Sequence, residues 1–81
     1  MPESIQERFM AVEERIDNAC LNAGRNRQDV RLIVVTKGHN AKEIIEVVNA
    51  GATLLGENYP EETTRKMEEL GKLINPTWHM I

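Results

Sequence analysis

Apolar residues recur at spacings of three and four between residues 4 and 23: Ile5, Phe9, Val12, Ile16, Ala19, Cys20 and Ala23. They form one stripe of an amphipathic helix. Glu13, Glu14, Arg15, Asp17 and Asn18 take the opposite side. Ser4 and Glu7 have the spacing of a capping box, the serine accepting from an early N–H and the glutamate reaching back. Gly24 supplies the left-handed residue that commonly follows a helix. The polar stretch RNRQD, residues 25 to 29, is a connection.

The pattern then changes. Leu32-Ile33-Val34-Val35 is a continuous apolar, mostly β-branched run. Strands covered on both faces read this way, and parallel sheets make such strands. Asn40 is a good N-cap with Glu43 three residues on. Ile44, Ile45, Val47 and Val48 give the next helix a broad apolar face, and Gly51 ends it. Thr53, Leu54 and Leu55 predict a second strand. Pro60 suits the first turn of a third helix, where Glu61 and Glu62 complement the helix dipole. Met67, Leu70, Leu73 and Ile74 are its expected inner face, and Asn75-Pro76 breaks it. Trp78 to Ile81 predicts a third strand. The order α-β-α-β-α-β implies right-handed crossovers and a parallel sheet in the order 1-2-3. Helices 41–50 and 60–73 are expected to cover one face, with helix 4–23 beside the start of the first strand. The sequence ends inside an apolar strand, so residues 1–81 are expected to form an incomplete single domain.

Composition narrows the function. A hydrophobic fraction of 41% and a charged fraction of 28% describe an ordinary folded domain. The formal net charge is −3, and Lys and Arg are scattered singly, which argues against nucleic acid or a membrane surface as partner. The single cysteine, Cys20, excludes an internal disulfide and cannot build a metal cluster alone. On an apolar stripe it reads as a small buried hydrophobe. No signal-peptide pattern opens the chain and no run approaches ~18 apolar residues, so a cytoplasmic setting is the expectation.

Parallel α/β folds gather ligands at the carboxyl ends of their strands. The first strand here ends in Thr36 and Lys37, the second in Gly56, Glu57, Asn58 and Tyr59, the third in Trp78 and His79. A lysine at a partly desolvated strand end can have its pKa lowered, because burial disfavours the ammonium. The neutral amine is a nucleophile that forms Schiff bases with aldehydes such as pyridoxal phosphate. The competing reading is a solvated lysine that simply ends a strand. Glu57 reads as a turn or helix-start carboxylate rather than a general base, and His39 as a solvated turn residue. Tyr59 reads equally as a stacking group or as packing under its loop, and Trp78 as core. GENYP lacks the further glycines of a nucleotide-binding turn.

The set RLIVVTKGHNAKEIIEVVNAGATLLGENYPEE followed by WHMI resembles the pyridoxal phosphate homeostasis protein family. The resemblance covers nearly the whole chain and rests on the order and spacing of V-T-K, G-E-N and W-H-M-I. It implies the fold of the alanine racemase N-terminal barrel, a (β/α)8 TIM barrel of about 250 residues, of which this chain would be the first third. It implies that Lys37 is the Schiff-base lysine, that Asn58 lies near the cofactor, and that His79 lines the barrel interior or supports the site. Gly38 stands where the family commonly has Thr, Asn40 where it has Pro, and Pro60-Glu61 where it has Val-Gln. The family's phosphate-binding residues lie on later strands, and none falls within these residues. The implied function is holding pyridoxal phosphate in vitamin B6 and amino-acid homeostasis, without a defined reaction. The alternatives are a racemase- or decarboxylase-type enzyme, which needs a proton-transfer partner and a carboxylate clamp not visible here, or an inert fragment. Three parallel strands cannot close a barrel. The chain by itself is therefore expected to bind the cofactor weakly and to leave unpaired sheet edges that invite association.

Overall fold

The computed structural model describes residues 4–71 and 73–81. Helix α1 spans Ile5–Ala23, a single 3-10 turn Arg27–Asp29, strand β1 Val34–Val35, helix α2 Ala41–Asn49, strand β2 Leu54–Glu57, helix α3 Pro60–Leu70 and strand β3 Thr77–Met80. The strands form one parallel sheet in the order β1-β2-β3. The predicted alternation, direction and strand order all hold.

The chain's own capping chemistry sets the helix limits. Ser4 Oγ accepts from the Glu7 N–H at 3.0 Å, and Gly24 closes α1 at φ 69°. The reciprocal half of the expected capping box differs, because the Ser4 hydroxyl itself donates to Glu7 Oε1 at 3.2 Å. At α2 the full box forms: Asn40 Oδ1 accepts from the Glu43 N–H, and Glu43 Oε1 accepts from the Asn40 N–H.

The core lies between the sheet and its helices. Leu55 and Ile44 are fully buried, packed with Phe9, Val47, Leu70 and Ile74. Helices α2 and α3 both contribute to this one face, and α1 packs against α2. Cys20 is buried as expected.

Three expectations need correction. Strand β1 is shorter than the apolar run, because Leu32 and Ile33 stay outside the ladder. The Val30 carbonyl is taken by the Arg27 guanidinium at 2.6 Å, and pairing begins only at Val34. Strand β2 runs two residues further than expected, through Gly56 and Glu57. The inner face of α3 also differs: Met67 and Leu73 are exposed, whereas Thr63 and Lys66 are buried. The physical reason is a counterion on β2, described below.

Candidate functional site

Register decides which side chains share a face. Val34, Leu55 and Trp78 are neighbours across the sheet, and Leu55 is buried under the helices. The next row, Val35, Gly56 and His79, therefore faces the other way, since successive strand residues alternate. Ile33 and Val35 are 40% and 45% exposed, so this second face is open. At its centre Gly56 has no side chain. A Cβ there would stand 3.0 Å from Ile33 Cγ2 and 3.2 Å from Ile81 Cδ1, so the two isoleucines lean over the bare backbone from either side.

Lys37 follows the end of β1 by two residues and Asn58 the end of β2 by one, both outside the ladder, while Ile81 leans over Gly56 on the open face. Lys37 is exposed, in a turn closed by the His39 N–H donating to the Thr36 carbonyl at 3.1 Å. Gly38, third residue of that turn, has φ 77°, the value a type II turn demands there. The glycine that departs from the family pattern thus has a local structural reason.

Asn58 and His79 are half-buried. Asn58 Oδ1 and His79 Nε2 are buried atoms with no hydrogen-bond partner among the described residues. Such atoms each cost about 1–3 kcal/mol. Of the residues predicted from the strand ends, His79 lies in β3 beside Gly56, whereas Lys37 and Asn58 lie just past the ends of β1 and β2.

Behind this face lies a cluster that the sequence did not reveal. Glu57 is fully buried, Thr36 is 3% exposed and Lys66 6%. Lys66 Nζ donates to Glu57 Oε1 and Oε2 at 2.9 and 3.0 Å and to the Thr36 carbonyl at 3.0 Å, and it pairs with Glu62 Oε1 at 3.0 Å. The Thr36 hydroxyl donates to Glu57 Oε2. Glu57 is therefore neither a solvated turn carboxylate nor a free base; it is the acceptor at the centre of a buried ion pair. Lys66 is buried on α3 because this carboxylate meets it. The Glu62 carboxyl is held below the usual carboxylate range, mainly by Lys66 and against partial burial, with a further contribution from the Gly38 N–H.

The remaining candidates are peripheral. His39 Nδ1 lies 3.5 Å from Glu43 Oε1 at the surface. Tyr59 is 59% exposed and caps α3 through its carbonyl, so it does not pack under its loop. Trp78 packs at the edge of the core.

Parallel strands joined by helices, with a lysine, an asparagine and a histidine at or just past their carboxyl ends, define an α/β protein of the kind whose ligands gather at strand ends. No family model matches the chain. Curated relatives do. Over 79 residues the chain is 33% identical to the pyridoxal phosphate homeostasis protein of Haemophilus influenzae, covering 96% of this chain and 33% of the relative. To the protein of the same name from Aquifex aeolicus it is 37% identical over 75 residues, covering 93% of this chain and 32% of the relative. Among solved structures, an unknown protein from Bifidobacterium adolescentis superposes with a TM-score of 0.85 at 31% identity, over 95% of this chain and 36% of that one. PipY of Synechococcus elongatus PCC7942, solved with PLP bound, superposes with a TM-score of 0.63 at 33% identity, over 82% of this chain and 31% of that one. The chain spans about a third of the length of the curated relatives it matches. Its homologues are thus the pyridoxal phosphate homeostasis proteins, as the strand-end motifs implied. No described helix is long and apolar enough to cross a membrane.

Proposed function

We propose that this chain is the first third of a (β/α)8 barrel that binds pyridoxal 5'-phosphate, and that its role is cofactor homeostasis in the cytoplasm rather than turnover of a substrate. Lys37 is the attachment point. Its amine condenses with the cofactor aldehyde: the C=N bond forms, the C=O bond breaks and water leaves. The residues present suit that group. Lys37 is accessible, and Asn58 Oδ1 and His79 Nε2 are atoms in need of polar partners. Asn58 and His79 orient the cofactor, and the open apolar face of Ile33 and Val35 keeps water from one side of it.

What supports this reading is the position of Lys37, Asn58 and His79 at or just past the carboxyl ends of three adjacent parallel strands, in a chain whose relatives bear the name of this cofactor. Borohydride reduction in the presence of pyridoxal phosphate, followed by peptide mapping, tests it. The pyridoxyl group is expected on Lys37, and Lys37→Ala abolishes the label. Equal labelling of Lys42, Lys66 or Lys72 overturns the assignment. Racemisation of free amino acids by the protein would favour the enzyme alternative, and none is expected.

A further inference from the structure

We infer that Lys66 is a positioning residue for Lys37: with Glu57 it clamps the backbone on which Lys37 is carried. The inference rests on Lys37 being the cofactor amine, but the clamp is argued from its own geometry.

Lys37 itself sits exposed in a turn, and a long flexible side chain on a free turn samples many positions. The residue before it is held from every side. The Thr36 N–H donates to the Gly56 carbonyl at 2.9 Å, which ties it to β2. The Thr36 hydroxyl donates to Glu57. The Thr36 carbonyl, which belongs to the same peptide unit as the Lys37 nitrogen, accepts from Lys66 Nζ at 3.0 Å and from the His39 N–H at 3.1 Å. That peptide plane therefore cannot flip without breaking a buried, charge-assisted bond.

The chemistry of the pair supports a positional role over a purely stabilising one. A buried ion pair is weak support for stability by itself, since apolar side chains of similar volume do as well. What Leu or Met at position 66 could not do is donate to a main-chain carbonyl. The ammonium offers three protons and spends them on Glu57, Glu62 and the Thr36 carbonyl. Attachment of an aldehyde needs the amine in one place, and rigid support from residues that never touch the ligand is a common means to that end.

The test uses the whole chain as Lys66→Met and as the charge-neutral double variant Glu57→Gln with Lys66→Met. Two readouts are taken. The first needs no cofactor: amide hydrogen exchange of His39, whose acceptor is the Thr36 carbonyl, against Ala52 and Thr77, whose bonds lie in the core and in the β2–β3 pairing. The clamp is read in the charge-neutral double variant, whose fold is the less destabilised: it predicts that exchange at His39 rises by about tenfold or more beyond any change shared by Ala52 and Thr77. The second is the ratio of pyridoxyl label on Lys37 to that on exposed Lys42 after borohydride reduction. The expected result is a fall of about tenfold toward equal labelling, since an unheld amine loses its orientational advantage. A residue that merely stabilised the fold would leave that ratio unchanged in the folded protein. Unchanged His39 exchange in both variants overturns the clamp, as does unfolding of both. Should the unsubstituted protein itself show no preference for Lys37, the cofactor assignment fails, while the exchange measurement still decides the clamp.

Discussion

Lys66 shows how a residue changes meaning between sequence and structure. It lies four residues after Glu62 on a helix rich in charge, and nothing in the sequence marks it as buried. Only the placement of Glu57 at the end of β2, beside the first turns of α3, buries it. That relation is nine residues long in sequence and passes through a turn, so no periodicity signals it. The place of Lys37 at a strand end was legible for the opposite reason: it follows an apolar run, which is a local pattern. Removing one member of the buried pair leaves an uncompensated charge, and Lys66→Met is expected to cost about 3–5 kcal/mol in chemical denaturation. The charge-neutral double variant is expected to cost less. A double variant as destabilised as the single one would contradict the pairing. Gly38 gives a second expectation. Gly38→Ala forces an L-residue to φ 77° and should destabilise by about 1–2 kcal/mol. Neutral behaviour in the same denaturation experiment would mean that the turn relaxes freely.

Elements were read well where caps and periods coincide. Asn40 and Glu43 announced α2, and Pro60 announced α3, because capping is a matter of one or two residues. The limits of β1 were not legible. An apolar run says that side chains are covered, not that its backbone has a partner, and Leu32 and Ile33 have none in the ladder. Met67 and Leu73 misled for a related reason, since a helix face chosen by hydrophobicity alone cannot include a buried lysine. The capping box of α2 makes a pH prediction. The Glu43 carboxyl is held below the usual carboxylate value of 4.5, mainly by the Asn40 N–H, with His39 assisting and burial opposing. A depressed carboxyl binds fewer protons folded than unfolded, so its stabilisation is complete above that value and fades as pH falls through the folded one. The Asn40 and Glu43 amide resonances should shift together below pH 4.5, and Glu43→Gln, which still caps, should remove the transition. Asn40→Ala should cost about 1 kcal/mol at neutral pH.

At the scale of the molecule, one face of the sheet is a core and the other is open. Leu55 and Ile44 are inaccessible on the first, whereas Ile33, Val35 and Ile81 remain 40 to 58% exposed. Three strands do not close a barrel, whose strand number, tilt and shear must agree. A cofactor on Lys37 is thus covered from one side only, and the expected phosphate partners are not among these residues. Titration of the 81-residue chain with pyridoxal phosphate should show no saturable micromolar binding. Such binding by a monomer would mean that further strands are unnecessary.

The central claim is that the open face carries the cofactor site, and amide NMR under excess pyridoxal phosphate tests it most directly. Shifts are expected to concentrate at Lys37, Gly38, Gly56, Asn58 and His79. They should vanish in Lys37→Ala, while the amides of Ile44, Val47 and Leu70 on the covered face stay in place. Shifts centred on Phe9, Ile44 and Val47 in the core, or spread evenly over the exposed lysines, would contradict the claim.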